Sequence, residues 1–311
     1  MLKLQWFLRL LTITGLVMLF ATCEEPVDLG FEVVESQLVV SSTFFPDDVV
    51  KVYLSATQPT VGEQSINEIT DATVSILEGN ETKEVLHYVS GQNGSRGSYQ
   101  SSFFRPEVGR TYTLFATKSG FQPIDASSSI PEPVQIDHLE LVGDVEKMMV
   151  DGLEIFTFTL KINYDDPEFV ENFYDIRISQ LVRPYFVKAN GDTAKMDPIA
   201  KVVQAPVDNY AENTIAGEAS ILVRDRPSED GLTIELQSRF DPHTEILGKL
   251  QAELRTVSEP YFEYQLTIQR EGQALPIGVG DPRVSSLGNI QQGIGVFAGY
   301  SRVFRAVNLD F

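Results

Sequence analysis

Apolar and polar residues alternate along most of the chain, and this pattern predicts half-buried β-strands. Val50, Val52 and Leu54 would share one face of a strand, with Lys51 and Tyr53 on the opposite face. Successive side chains of a strand point to opposite faces, so one face can pack on a core while the other meets water. The same period recurs in five further segments: Ala72–Ile76, Tyr112–Ala116, Phe156–Tyr164, Tyr174–Ile178 and Leu250–Leu254.

The first part of the chain has the strand spacing of a small β-sandwich. Asn93-Gly94 lies between the strand-like segments Leu86–Val89 and Tyr99–Phe103, which predicts a hairpin turn because glycine tolerates a positive φ. Short strands separated by polar turns are typical of sandwiches of the immunoglobulin or transthyretin type. We therefore predict a β-sandwich domain over residues 37–131.

A second β-rich domain is predicted over residues 132–311. The stretch from Ser127 to Pro133 marks the boundary, because it contains two prolines one residue apart that a central strand would not accommodate. The polar segment from Lys188 to Asp230 is predicted to form long surface loops.

This second domain is expected to contain one sizeable helix. Ser258 is a suitable N-cap for a helix that begins at Glu259, with Pro260 in its first turn. Apolar side chains four residues apart follow, and Gly272 predicts the end of the helix.

The N-terminal segment predicts export and lipid anchoring. Lys3 and Arg9 precede a short run of apolar and small residues that ends just before Cys23, so residues 1–22 are predicted to be a lipoprotein signal peptide. Cys23 would carry the lipid, and residues 23–36 would form an acidic tether. An ordinary signal peptide or a single-pass anchor remains the alternative.

Composition narrows the classes of function. The chain has 44 Asp and Glu against 24 Lys and Arg, a formal net charge of −20, which repels nucleic acid and argues against it as a partner. The chain has one cysteine, so a disulfide within it is impossible and its core must stabilise the exported protein.

Candidate metal and modification sites are few. Asp165, Asp166 and Glu168 follow a predicted strand and would suit calcium, although a solvated turn before Pro167 is the commoner explanation of such a cluster. We expect no resident cofactor and no zinc site, because none of the three histidines has metal-ligand spacing. Thr193, in Asp-Thr-Ala, resembles an O-glycosylation acceptor.

The sequence offers no signature of catalysis, and the chain is predicted not to be an enzyme. No Gly-x-Ser-x-Gly motif is present, although a Ser-His-Asp triad could still assemble from distant residues. Gly293, Gly295 and Gly299 are flanked by Ile294, Val296, Phe297 and Tyr300, which predicts a packed C-terminal strand rather than a phosphate cradle.

Several segments together resemble the domain-of-unknown-function 4249 family of Bacteroidota outer-membrane lipoproteins. They are Cys23-Glu24-Glu25, Leu38–Val40, Asp71–Ile76, Gly97–Tyr99, Arg110–Leu114, Asn289-Ile290 and Gly293–Tyr300. The resemblance implies a two-part β-rich lipoprotein, encoded near a TonB-dependent outer-membrane transporter, and supplies no catalytic residues. Glu24 and Glu25 directly after Cys23 also resemble the signal that exports such lipoproteins to the cell surface.

These observations lead to three hypotheses about function. The first is a surface-exposed outer-membrane lipoprotein, held by its lipid, that acts as an accessory binding protein for a TonB-dependent transporter in nutrient uptake. The second is a surface adhesin or structural envelope lipoprotein. The third is a hydrolase with a hidden triad or carboxylate pair, which a fluorophosphonate probe or a substrate panel would reveal.

Overall fold

The computed structural model describes residues 36–57, 67–203, 214–216, 220–225, 231–273 and 288–308. Within these residues the protein is mainly β with one α-helix, which confirms the predicted fold class. Cys23, Glu24, Glu25 and all of the predicted tether except Ser36 lie outside the described residues.

The N-terminal strands form a two-layer sandwich. They are β1 Leu38–Phe44, β2 Lys51–Ala56, β3 Asn67–Glu68, β4 Thr73–Glu78, β5 Glu81–Val85, β6 His87–Val89, β7 Ser98–Gln100, β8 Thr111–Thr117 and β9 Ile124–Ser129. One layer contains β1, β2, β7 and β6 in that order, and the other contains β5, β4, β8 and β9. Alternating side chains such as Val52, Val74 and Leu114 are fully buried between the layers, as the period of two predicts.

The second part of the chain forms another sandwich. Its elements are β10 Ile136–Val150, β11 Leu153–Tyr164, β12 Phe173–Val187, β13 Thr193–Lys195, β14 Ile199–Val202, β15 Thr214–Ala216, β16 Ile221–Arg224, β17 Leu232–Phe240, β18 Glu245–Val257, helix α1 Glu259–Gln273 and β19 Ile294–Val307. The sheet β10-β11-β17 packs on the sheet that contains β16, β12 and β18. Phe158, Leu160, Ile176 and Leu254 are among the side chains buried between them.

The C-terminal strand joins the two sandwiches. Residues 294–299 of β19 pair in parallel with β1, and residues 300–307 pair with β18, so one sheet of twelve strands runs through both parts. Phe297 and Ile290 complete the core of the N-terminal sandwich. By their contacts Ser36–Phe311 form a single unit. The division into domains over residues 37–131 and 132–311 stays a prediction.

Glycines on β19 permit its close approach to neighbouring strands. A Cβ on Gly295 would lie 1.9 Å from the Val40 carbonyl oxygen, and one on Gly299 would lie 2.4 Å from the Ser129 carbonyl oxygen. Gly295 also has a φ of +107°, which L residues rarely adopt. The predicted packed C-terminal strand is therefore confirmed.

Helix α1 covers the outer face of the large sheet. It begins at Glu259 and ends at Gln273, close to the predicted bounds. Tyr261, Phe262 and Leu266 pack against the sheet. The Ser258 hydroxyl accepts a hydrogen bond from the Ser128 hydroxyl at 3.0 Å, which ties the start of the helix to β9.

The prediction of long loops from Lys188 to Asp230 is wrong where β13, β14, β15 and β16 form. Strand β14 pairs with β12, and the short apolar run Ile221–Val223 in β16 is buried against the same strand. These strands are three or four residues long. Such short segments are too brief to show the alternation that reveals a strand in sequence.

Candidate functional site

The candidate site is a groove on the solvent face of the N-terminal sandwich, here called the sheet groove. It encloses about 540 Å³ and is lined by Ser41 of β1, Lys51 and Tyr53 of β2, Val89 of β6, Ser98 and Gln100 of β7, and residues of the loop between β6 and β7. Val52, between Lys51 and Tyr53, points into the core. The strand alternation that builds the core therefore also presents the groove side chains to solvent.

The β6–β7 loop forms one wall and is held in a defined conformation. Asn93 and Gly94 both have a positive φ, 52° and 83°, as a type I′ hairpin turn requires, which confirms the predicted turn. The Ser95 hydroxyl accepts from the Gln92 amide at 3.0 Å and donates to the Gln92 carbonyl at 2.7 Å. A Cβ on Gly91 would lie 1.8 Å from the Ser95 carbonyl oxygen, so only glycine fits this closed loop.

Two cations and one aromatic ring dominate the charge and shape of the groove. The Arg96 guanidinium lies 5.7 Å from the centre of the Tyr53 ring, within the range of a cation–π contact. Glu68 holds Arg96 from the side, with Nε and Oε1 3.7 Å apart. Lys51 forms no ion pair with any carboxylate of the described chain, and its ammonium group remains available to a ligand.

Tyr88 supports this arrangement from beneath the loop. Its hydroxyl donates to Glu68 Oε2 at 3.2 Å. Partial burial, and then the adjacent Glu68 carboxylate, raise the pKa of Tyr88 above its usual value. A Cβ on Gly97 would lie 2.0 Å from the Tyr88 hydroxyl oxygen, so the loop packs directly on this side chain.

The groove has the chemistry of a binding site. Its remaining polar side chains are four serines and two glutamines, Ser41, Ser90, Ser95, Ser98, Gln92 and Gln100. Hydroxyl and amide groups can both donate and accept, which suits hydroxyl-rich or anionic ligands. The lining residues include no Asp, Glu, His or Cys.

The predicted calcium residues lie apart from the groove, in the turn after β11. Asp165 and Glu168 are exposed. The Asp166 carboxylate accepts hydrogen bonds from the Tyr174 hydroxyl and from Asn172 Nδ2. Burial and the hydrogen bond to Asp166 raise the pKa of Tyr174. No group of three or more His, Cys, Asp or Glu in the described part of the chain is arranged to hold a metal ion.

The predicted glycosylation residue Thr193 is exposed at the start of β13. It pairs with Val187 across the hairpin formed with β12.

One Ser–His pair lies near the groove, but the described residues do not complete a triad around it. The Ser102 hydroxyl is 3.2 Å from His87 Nδ1. The nearby Glu84 carboxylate instead accepts three backbone N–H groups, from Ser102, Phe103 and Phe104, at 2.7, 3.3 and 2.9 Å. It therefore does not orient the imidazole as a triad carboxylate does.

A buried charged cluster lies under helix α1 and was not expected from the sequence. Asp175 has no exposed surface, and its carboxylate accepts hydrogen bonds from the Ser220 and Tyr261 hydroxyls, each at 2.6 Å. Arg177 Nε also donates to it, at 3.0 Å. Burial raises the pKa of Tyr261, and the negative charge of Asp175 raises it further. Full burial and full use of the carboxylate mark this cluster as structural rather than as an open site.

The sheet groove could be anticipated only in part. The alternation placed Lys51 and Tyr53 on an outward face, and Asn93-Gly94 located the hairpin loop. No local pattern indicated that Lys51 and Arg96 would converge, because β2 reaches the β6–β7 loop only by pairing with β7, far along the chain.

Comparison with known proteins identifies the family. The sequence profile described as Domain of unknown function (DUF4249) matches residues 24–305, so the chain belongs to this family. No curated protein matches the sequence. Among the described residues, no helix combines the length and apolar character needed to span a membrane.

Solved structures give only distant similarities. The adhesin InvE of Yersinia pseudotuberculosis is 18% identical, with 72% of this chain and 55% of that chain covered and a TM-score of 0.18. A structure described as manganese lipoxygenase of Gaeumannomyces graminis with partial zonadhesin of Komagataella pastoris is 12% identical, with 88% and 95% covered and a TM-score of 0.13. The chain thus spans about half the length of the adhesin, and TM-scores this low give no basis for transferring a function.

Proposed function

We propose that this member of the DUF4249 family is a lipid-anchored binding protein of the outer membrane that captures a hydroxyl-rich or anionic nutrient for a TonB-dependent transporter. One observation carries the binding role: the sheet groove combines hydroxyls, amides, a ring and two cations with no carboxylate among its lining residues. The whole chain has a net charge of −20, whereas the residues that line the groove include two cations and no Asp or Glu. Anionic ligands would be attracted to it over the rest of the surface.

The proposed anchor determines where the groove operates. Cys23 would be acylated after removal of residues 1–22, and Glu24 and Glu25 would direct the protein to the cell surface. Anchoring restricts the protein to the plane of the membrane, which raises its concentration near a transporter without any new contact. No catalytic step is included in this role.

The capture mechanism follows from the geometry of the groove. Lys51 and Arg96 would contact the negative charge of the ligand, while the Tyr53 ring would stack on its apolar face. The serine and glutamine side chains would exchange hydrogen bonds with ligand hydroxyls. Because the β6–β7 loop is already held by Ser95 and the neighbouring glycines, binding would order few additional groups.

Calorimetry with a panel of neutral saccharides, uronic acids and small polycarboxylates tests this role. At least one anionic or hydroxyl-rich compound is expected to bind. Tyr53→Ala or Arg96→Gln should lower the affinity for that compound about tenfold or more, because each removes a direct contact worth roughly 1.4 kcal/mol. Phe115→Ala, an exposed aromatic on β8 away from the groove, and Arg110→Gln serve as matched controls.

Two results would contradict the proposal. Binding that is unaffected by Tyr53→Ala and Arg96→Gln would exclude the sheet groove as the site. Turnover of any compound in the panel would indicate the hydrolase alternative.

A further inference from the structure

The methionines that follow residue 22 are exposed at one end of the second sandwich. Of five methionines in the chain, Met1 and Met18 lie in the predicted signal peptide, and the other three are Met148, Met149 and Met196. Their exposed fractions are 49%, 57% and 57%. Leu153, Phe186 and Ile246 are also exposed there, and we call these six residues the distal surface.

Strand register places the six residues at the same end. Glu154 of β11 pairs with Phe240, the last residue of β17. A short turn leads from Phe240 to Glu245, the first residue of β18, and Glu245 pairs with Pro184 of β12. Leu153 is next to Glu154, Ile246 is next to Glu245, and Phe186 lies two residues beyond Pro184. Met196 donates its amide hydrogen to the Pro184 carbonyl.

The hairpin of β10 and β11 presents part of this surface on a defined edge. Asp151 and Gly152 form its two-residue turn, with φ values of 51° and 81°. Met148 and Met149 lie on β10, which is the outer strand of the sheet β10-β11-β17 among the described strands. An outer strand with exposed apolar side chains can accept a further strand from another chain.

A cavity that Ile246 of the distal surface helps to line is positively charged. It encloses about 270 Å³, and its lining includes Arg183, Lys195, Lys249 and Ile246 but no Asp or Glu. None of the three cations forms an ion pair with a carboxylate of the described chain. Unpaired cations next to an apolar surface are complementary to a carboxylate carried by an apolar segment.

The distal surface lies far from the point where the described chain begins. Val39 of β1 pairs with Ile294 at the start of β19. At the other end of β19, Val307 pairs with Leu250 of β18, and β18 extends in the same direction as far as Glu245. At about 3.3 Å per residue, this strand path covers roughly 60 Å. An anchor at the N-terminus would therefore leave the distal surface free for a partner.

We propose that the distal surface docks a partner protein through an apolar segment that carries a carboxylate. The partner's apolar side chains would pack on Met148, Met149 and Phe186, because methionine adapts its shape to different partners. Its carboxylate would enter the cavity between Arg183 and Lys249. This interaction is independent of ligand capture in the sheet groove.

Fluorescence anisotropy with three defined peptides tests the proposal on the full chain. The peptides share alternating Val and Leu and differ only in carrying Glu, Gln or Lys at their polar positions. The Glu peptide is expected to bind, the Gln peptide to bind at least tenfold more weakly, and the Lys peptide not to bind. Arg183→Gln combined with Lys249→Gln should remove the preference for Glu over Gln.

Matched variants distinguish the surface from the fold. Met149→Asp should abolish binding of the Glu peptide, whereas Val85→Asp, at a residue with the same 57% exposure on the N-terminal sandwich, should leave it unchanged. Equal binding of all three peptides, or of none, would overturn the proposal. So would Met149-dependent binding to anionic vesicles, or a Met149-dependent dimer in sedimentation, which would assign the surface to the membrane or to a second copy.

Discussion

At the scale of single residues, buried carboxylates determine how stability responds to pH and mutation. Glu84 is 7% exposed and accepts three backbone N–H groups from the turn after β7. Burial alone would raise its pKa, but these hydrogen bonds outweigh burial and hold the pKa below its usual value. The ionised form is therefore favoured by folding.

The pKa of Glu84 leads to a pH-dependent prediction. Its lowered pKa stabilises the fold above the ordinary carboxyl value, about 4.3, and this contribution is lost as the pH falls through the lower folded value. Glu84→Gln should cost about 1–3 kcal/mol at pH 7, and the difference from wild type should shrink below about pH 4. Urea unfolding of both proteins between pH 7 and about pH 3 measures this difference in the free energy of unfolding. The exposed Glu81→Gln serves as control. A difference that does not change with pH would contradict the role given to the Glu84 carboxylate.

Asp175 supports a second prediction at this scale. Asp175→Asn removes the buried negative charge that faces Arg177 and Arg255. Because the Arg177 side chain is 34% exposed, we expect a loss of about 1.5–3 kcal/mol rather than the full cost of breaking a buried pair. The exposed Asp137→Asn should change the free energy of unfolding by less than about 0.5 kcal/mol. A loss below about 1 kcal/mol for Asp175→Asn would show that the cluster contributes little to stability.

At the scale of elements, local signals predicted the helix and the hairpin but not the partners of the strands. Ser258 and Gly272 predicted the bounds of α1 closely, and Asn93-Gly94 located the β6–β7 turn, because caps and turns depend on neighbouring residues. The parallel pairing of β1 with β19 joins residues about as far apart as the chain allows. A period of two reveals which face of a strand is buried, but not which strand lies beside it.

The pairing of β1 with β19 depends on Gly295. Gly295→Ala would bring a Cβ within 1.9 Å of the Val40 carbonyl oxygen at a φ of +107°, and should cost more than about 3 kcal/mol, in the range of the most damaging single substitutions. Thermal unfolding and hydrogen exchange of β1 measure the effect.

Gly79→Ala is the matched control for Gly295→Ala. Gly79 also has a positive φ, +58°, but a Cβ there meets no atom within 4 Å, so only the backbone cost of about 1–2 kcal/mol should appear. Equal losses for the two variants would show that the close approach of β19 to β1 does not matter.

At the scale of the whole molecule, one long sheet runs from the sheet groove to the β12 and β18 part of the distal surface. Strand β19 contributes Phe297 to the core beneath the sheet groove and continues beside β18 towards the distal surface. The mainly β class followed from the alternation alone. The sheet groove could not be predicted from the alternation, because Lys51 of β2 and Arg96 of the β6–β7 loop meet only after β2 pairs with β7.

We propose that this protein works beside a TonB-dependent transporter, and capture from crosslinked cells tests this proposal most directly. Intact cells would be crosslinked and extracted in mild detergent, and the full chain would be recovered and its companions quantified by mass spectrometry, with Cys23→Ser as the unanchored control. The account predicts one TonB-dependent transporter in stoichiometric amount with the anchored protein and its loss with Cys23→Ser. Recovery of the wild-type protein alone would contradict the proposal.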